Sequence, residues 1–468
     1  MSKWKKNFNV LLWCFLASPA LGLQLTTSDQ KKVDLTVYKD FVVVRDVRET
    51  VLPVGLISVE FQGIAETIDP GSVQVSSSGG DNAFEVIEQT YEYDLLNKQS
   101  LLKRFIGHKL KYSRSILQDS SYEKILREGI LLSIGPEIVK FGDMIEIEPE
   151  GVISLPYVPE TLKTTPTLSW RVDNRQVGPQ EIVTSYVAEG MGWYTDYRLT
   201  LDEAETAMDF SAWVNLRNET GVDYKEAAIS VIAGKIRRVA MTPGEGKRGN
   251  ARVDTAMMME SQGPAQALSD YYIYDLDRRV NLASHQTRQV KLMSAEGIAV
   301  EKKYISANQI ITHRMPQASS GRFDIELNFV NGFRGSPGVP LPAGRASVFK
   351  AGDDGVLQLL GEDRIPDVPS GEMVRLSIGQ AFDLVIERTQ TEFRRVSENS
   401  TRLTNEVVLR NRKDEDVTMI VREQFFGDWI IISQTEAGEK LDSVTQEFVV
   451  DVKAGATRTF TYTAEITF

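Results

Sequence analysis

The chain has 468 residues, with 53 Lys and Arg against 65 Asp and Glu, one Cys and three His, giving a formal net charge of -12. A negative balance argues against a nucleic-acid binder, because phosphate neutralisation needs a basic surface; one cysteine excludes a disulfide framework or a Cys-rich metal site, and three scattered histidines leave little for a His-based metal triad. Hydrophobic content of 42% and charged content of 25% are those of an ordinary globular protein, and the length predicts about three domains.

Residues 1–22 read as a secretory signal. Lys3, Lys5 and Lys6 precede a short apolar run at 10–16, and Ser18-Pro-Ala-Leu-Gly22 supplies a helix breaker and small residues before a cut at Leu23. The run is too short to span a bilayer, an uncleaved N-terminal anchor being the alternative to cleavage, and no later segment reaches the roughly 18 consecutive apolar residues of a spanning helix. No transmembrane helix is expected in the mature chain. Cleavage would remove Cys14 and three lysines, leaving 50 bases against 65 acids, a net charge of -15.

From 23 to 165 the hydrophobic period is mostly two. Val33-Asp-Leu-Thr-Val-Tyr38 alternates and Phe41-Val-Val-Val44 runs apolar, with turn signals at Leu52-Pro-Val-Gly55, Asp69-Pro-Gly71 and 76–81. Leu95, Leu96, Leu101, Leu102, Phe105 and Ile106 predict one amphipathic helix over 93–106, stopped by Gly107. Short strand patterns follow at 109–112, 129–134, 138–141 and 144–147, and a helix leading into them predicts a small barrel at 107–150. Prolines 149, 156, 159 and 166 mark a linker.

The middle part, 166–320, has strand patterns at 168–172, 181–187, 195–201, 207–216 and 228–233. Residues 202–204 and Asn218-Glu-Thr-Gly221 read as turns that support hairpins. Residues 241–269, rich in Gly, Pro and small residues and containing Met257-Met-Met, read as a flexible insert. Strand patterns resume at 271–276, and those over 321–468, with a turn at Asp353-Asp354-Gly355, predict a C-terminal β-sandwich. The expected fold is mainly β: a multi-domain, antiparallel β-sandwich type with one short helix and a small barrel in the N-terminal part.

Catalytic groups are sparse. His108, His285 and His313 stand in no His-x-x-His, His-x-Asp-x-His or Gly-x-Ser-x-Gly spacing. Asp353-Asp354-Gly355 and Asp414-Glu-Asp416 lack the alternating acids of a calcium loop, and Gly190-Met-Gly192 and Gly244-Glu-Gly246 precede no convincing helix. Asn218-Glu-Thr220 and Asn399-Ser-Thr401 spell glycosylation sequons. No cofactor, metal ligand or catalytic residue is assigned.

Four residues remain as candidates for binding: Trp193, Tyr194, Asp196 and Glu362. Asp196 brought against Glu362 or Asp363 would make an acid–base pair of the kind glycosidases use, although acids near turns more often pair with neighbours such as Arg364. Trp193, Tyr194, Tyr197 and Trp213 cluster on two strand patterns; exposed rings would stack on a sugar or a partner, and half-buried rings would bridge two sheets, the favoured reading. The alternation Phe460-Thr-Tyr-Thr-Ala-Glu-Ile-Thr-Phe468 fits the closing strand of an outer-membrane barrel, but outward faces look too charged at Arg410-Asn-Arg-Lys413, Arg422 and Glu423.

Several segments taken together resemble a known family. They are Ala188-Glu-Gly-Met-Gly-Trp-Tyr-Thr-Asp-Tyr-Arg-Leu-Thr-Leu-Asp202, 209–224, Val339-Pro-Leu-Pro-Ala-Gly-Arg345, Leu359-Leu-Gly-Glu-Asp363, Gly379-Gln-Ala-Phe-Asp383, Gly427-Asp-Trp429 and Val452-Lys-Ala-Gly455. The resemblance, over about 166–468, is to a bacterial domain of unknown function, numbered four-one-three-nine, whose better-known relatives are called mucoidy inhibitor A. It implies an exported, β-rich envelope protein and supplies no catalytic residues. Relatives carry a coiled coil where this chain has only the short helix pattern. Where relatives would place His-Thr-Pro, this chain has Asp367-Val-Pro369.

The leading expectation is therefore a non-catalytic binding or structural protein, periplasmic or associated with the outer envelope. Its partner would be an envelope protein or polysaccharide. The alternatives are a carbohydrate-active hydrolase or sugar-binding protein, and an outer-membrane β-barrel.

Overall fold

Alternating apolar and polar residues suit a pleat with one buried face, and strands form wherever this chain alternates. The strand Met191–Leu201, for example, buries every second side chain along its whole length. The computed structural model describes residues 22–77, 83–92, 98–118, 121–157, 159, 163, 165–234, 236–237, 266–315, 317–332 and 335–468. Residues 1–21 of the expected signal at 1–22, the first residues of the expected helix and most of the expected insert at 241–269 lie outside these. Strand takes 67% of the structure and helix 3%, so the fold is mainly β. Among the described residues no helix is long and apolar enough to cross a membrane.

Five sheets carry the chain. The first runs in the order Leu23–Leu25, Gly55–Gln62, Thr167–Asn174, Phe84–Glu92. The second runs Gln266–Leu268, Tyr271–Asp275, Tyr224–Ala233, Gln30–Val37, Phe41–Val51, Pro179–Glu189, Gln74–Ser77, with Val280–Leu282 beside Tyr224–Ala233. A small sheet runs Met144–Ile147, Glu137–Phe141, Ser121–Ile134, Lys109–Gln118, Val152–Ser154. The middle sheet runs Gln286–Ala299, Ala207–Asn218, Met191–Leu201, Gly344–Ala351, Leu357–Ile365.

The C-terminal sheet has nine strands and is nearly closed. Its order is Asp428–Gln434, Thr457–Thr467, Ser400–Asn411, Met373–Arg395, Ser319–Val330, Glu301–Gln309, Val417–Gln424, Thr445–Val452, Gly438–Lys440. Its outer side carries cross-strand ion pairs, Arg410–Glu387 at 2.8 Å and Arg422–Glu447 at 2.7 Å.

Three hydrophobic cores form. The largest gathers Phe61, Trp170, Tyr186, Trp193, Tyr197 and Phe210 from the first, second and middle sheets. The nearly closed sheet packs Phe323, Phe425, Phe448, Phe460 and Tyr462. A small core holds Leu102, Phe105, Tyr112 and Phe141. The 23-residue strand Met373–Arg395 serves two of them: Val374 and Leu376 lie in the largest core, Leu384 and Ile386 in the C-terminal one.

The Arg48 guanidinium, ion-paired within its own strand, staples the second sheet to the first. Arg48 is fully buried and its guanidinium grips Asp46 (Nη2–Oδ2 2.8 Å) while Nη1 donates to the carbonyls of Leu25 and Gln62, each at 2.8 Å. The Phe61 ring lies 3.6 Å below it.

Several expectations are corrected. Among the described residues the helix is Lys98–Arg104, and it stops short of the expected end because residues 105–107 turn and Gly107 takes a φ of +84°. The Asn218-Glu-Thr-Gly221 turn makes no hairpin; it carries the chain from the middle sheet into the second, stabilised by the Asn218 side chain donating to Val222 O at 2.8 Å. The last residues of the expected insert form the strand Gln266–Leu268, and the proline-rich linker contains Val152–Ser154, an edge of the small sheet. Glu423 faces inward, not outward: Met419, Val421, Glu423 and Phe425 alternate in one phase and all are buried.

Two glycines of the quoted segments allow backbones to touch. A Cβ on Gly192 would meet the Lys39 carbonyl oxygen at 2.4 Å, and one on Gly361 would meet the Ile378 carbonyl oxygen at 1.9 Å. The first lets the hairpin between Gln30–Val37 and Phe41–Val51 dock on the middle sheet. The second lets Leu357–Ile365 cross Met373–Arg395.

Candidate functional site

The parity of Met191–Leu201 separates the sequence candidates. Trp193 and Tyr197 point into the largest core. Trp193 is 3% exposed, its Nε1 donates to Ile232 O at 3.2 Å, and Lys39 Nζ lies 3.7 Å from its ring. Tyr197 donates to Pro342 O, and Tyr274 donates to Pro340 O at 2.9 Å, so two buried phenols hold the Val339–Arg345 segment. Burial pushes both phenols above their ordinary pKa. Trp193 therefore supports the core and presents no ring to a ligand.

Tyr194 and Asp196 face the other way. Tyr194 is half exposed. Asp196 Oδ2 accepts from Asn215 Nδ2 at 2.9 Å, and Oδ1 accepts from Arg345 Nε at 3.3 Å, with Nη2 of the same ion pair at 3.2 Å. Register places Asp196 between Trp213 and Arg345, and Arg198 between Ser211 and Ser347. Glu362 pairs across from Ser347, whose hydroxyl donates to Glu362 Oε1 at 2.5 Å. Trp213 donates through Nε1 to Ser211 Oγ at 3.2 Å, with the Arg198 guanidinium 5.4 Å from its ring.

This face thus unites Tyr194, Asp196 and Glu362, and adds Trp213, Arg198 and Arg345. It does not bring the two acids together. They lie two strands and two residues apart, about 12 Å between α-carbons. Each carboxylate is turned onto a neighbour of its own sheet. The surface offers flat aromatic area and a ladder of fixed donors and acceptors, which suits recognition of a polar, extended ligand.

A second feature escaped sequence reasoning. Inside the nearly closed sheet, Glu423 is fully buried; its Oε1 accepts from Arg388 Nε at 2.7 Å and its Oε2 from Asn308 Nδ2 at 2.9 Å. Arg388 Nη2 also donates to Ser306 O and Oγ, each at 3.2 Å. Tyr462 lies beside this pair and accepts from Asn405 Nδ2 at 2.7 Å. Burial, reinforced by the Glu423 charge, pushes the Tyr462 pKa well above its ordinary value.

A cavity of about 100 Å³ adjoins the network, lined by Asn308, Arg388, Gln390 and Asn405 together with Ile310 and Met315. Gln390 fixes its rim: Oε1 accepts from Met315 N at 2.8 Å and Nε2 donates to His313 O at 3.2 Å. With the arginine charge matched by Glu423, the cavity suits a small neutral polar group. The signal for it was present in the sequence as a carboxylate in phase with Met419, Val421 and Phe425 on one strand. Among the described residues no group of three or more His, Cys, Asp or Glu is arranged to hold a metal ion.

A family model described as a domain of unknown function (DUF4139) matches residues 182–468. No curated protein matches the chain.

Proposed function

The chain belongs to the family described as a domain of unknown function (DUF4139), and from that membership we propose an exported bacterial envelope protein that binds a partner and catalyses no reaction on it. The observation that carries the reading is the state of Asp196. Asn215 and Arg345 each hold one of its oxygens, so the carboxylate is ion-paired and fixed in orientation, as a recognition group is. Tyr194 and Trp213 flank it on the same face and supply stacking area for a polysaccharide or an envelope protein. The basic residues, short apolar run and small-residue site within 1–22 support export to the periplasm or outer envelope.

Cell fractionation of a C-terminally tagged chain tests the location. The expected product starts at Leu23 and sits in the periplasmic or envelope fraction; an intact N-terminus in the cytosol would overturn export. Incubating the purified protein with envelope polysaccharides tests the rest. Retention that weakens at least tenfold in a Tyr194→Ala, Asp196→Asn variant supports recognition by this face. Release of reducing ends overturns the non-catalytic reading, and unchanged retention overturns the choice of face.

A further inference from the structure

The small sheet has one covered and one open face. Leu110, Tyr112, Leu131, Val139 and Phe141 point toward the helix Lys98–Arg104 and close the small core. The opposite face has no cover among the described residues. Register lines up Ile145, Lys140, Ile130 and Lys109 in a single row across four strands. Lys111 stands one step along from Lys109 on the same face. The three lysines are exposed, and no ion pair engages any of them among the described residues.

Between the lysines stand aliphatic side chains that a solvated face does not need. Ile145, Ile147, Leu126 and Val152 are 62%, 66%, 63% and 68% exposed. By register Ile147 lies over Ile138, and Leu126 and Val152 flank Ser113. Among the described side chains one acid, Glu128, shares the face, opposite Lys111. A basic and aliphatic sheet face on a chain of net charge -12 is a local reversal of the protein's character.

We propose that this face docks on an anionic lipid surface. The lysines complement lipid phosphates, and the branched aliphatic side chains enter the interfacial layer behind them. A sugar polymer would want aromatic platforms in place of the isoleucines, and an acidic protein segment would use the lysines without the aliphatics. The acidic remainder of the chain does not oppose docking, because charges farther than about 10 Å from the surface are screened at physiological salt. It does set orientation, since this face is attracted where acidic ones are repelled. The inference holds for either side of a membrane and does not depend on export or on the middle-sheet face.

Co-sedimentation of the full chain with phosphatidylglycerol-containing vesicles, and with phosphatidylcholine vesicles alone, is the test. Binding is expected to the anionic vesicles only and to fall as salt rises. Each of Lys109→Gln and Lys140→Gln should weaken partitioning about fivefold. Ile145→Ser with Ile147→Ser should weaken it at least as much, with an unchanged thermal melt because both side chains are on the surface. Equal sedimentation with both vesicle types, or none, overturns the proposal. Salt-sensitive binding that ignores the isoleucine variant also overturns it, in favour of an acidic polymer.

Discussion

Removing the Arg48 guanidinium should be among the most damaging single changes in the largest core. Arg48→Met keeps the unbranched apolar stem of the side chain and takes away the guanidinium and its charge. It strands Asp46, itself 4% exposed at the side chain, with no counter-charge, and it leaves the Leu25 and Gln62 carbonyls without the Nη1 donor. Breaking one side of a buried pair costs about 3–5 kcal/mol, because the remaining charge stays desolvated. Orphaned carbonyls cost about 1–3 kcal/mol each before relaxation, so a loss of about 5 kcal/mol is expected. Urea unfolding followed by tryptophan emission suits the measurement, since Trp170 packs on Phe61 at 5.2 Å between centroids, directly beside the guanidinium. Pairing Arg48→Met with Asp46→Leu should recover most of the loss by removing the stranded charge as well. Lys31→Met, which breaks the exposed Lys31–Glu49 pair between Gln30–Val37 and Phe41–Val51, should unfold like the unmodified protein. A loss below about 1 kcal/mol for Arg48→Met, or a double variant less stable than the single one, would falsify the staple.

Glu423→Ala should cost about 3–5 kcal/mol by the same physics, read from Trp429 emission, and an apolar replacement of both Arg388 and Glu423 should regain most of it. Gly361→Ala should destabilise by at least about 1–3 kcal/mol, since its Cβ would sit on a backbone oxygen at 1.9 Å, while Gly321→Ala, whose Cβ meets only Ile386 Cγ2 at 3.5 Å, should melt normally. Glu205 links Lys302 and Lys350, the latter at 2.7 Å; burial alone would raise its carboxyl pKa, but the two lysine hydrogen bonds outweigh burial and hold it low. Its stabilising contribution is therefore present above the unfolded value of about 4.3 and disappears as pH falls through the folded one. Glu205→Gln should be less stable at pH 7, and the gap should close on acidification; a gap that widens in acid would refute the assignment.

Strand identity was legible because period two survives almost intact, as in Pro179–Glu189, where every second residue is buried. The same parity carries a warning for site prediction. Adjacent strand residues face opposite ways, so Trp193 and Tyr194 could never have formed one platform. The outward set of Tyr194, Asp196 and Glu362 was legible residue by residue, but their spacing depended on which strands lie between them, and only register supplies that. Long-range assembly left no local trace. Gln30–Val37 sits between Phe41–Val51 and Tyr224–Ala233, and Pro179–Glu189 pairs with Phe41–Val51, so the family-matched stretch that begins at residue 182 shares a sheet with strands outside it. The buried pairs were misread for a related reason: charge suggests surface, but Asp46 and Arg48 follow Val42 and Val44 in the inward phase, as Glu423 follows Met419 and Val421. A charged residue in phase with an apolar stripe is the usable signal.

The strand Met373–Arg395 contains roughly 75 Å of backbone if fully extended, and it belongs to two cores along its length. That makes the chain hard to divide. A protease nick or a truncation within this segment takes a wall from both interiors at once, so neither fragment keeps a finished one. Heat or urea should accordingly meet one joined structure here, with loosening at either end transmitted along a shared beam. The same beam fixes the angle between the surface carrying Tyr194 and the cavity beside Arg388, so a partner gripping one would pull on a frame that already includes the other.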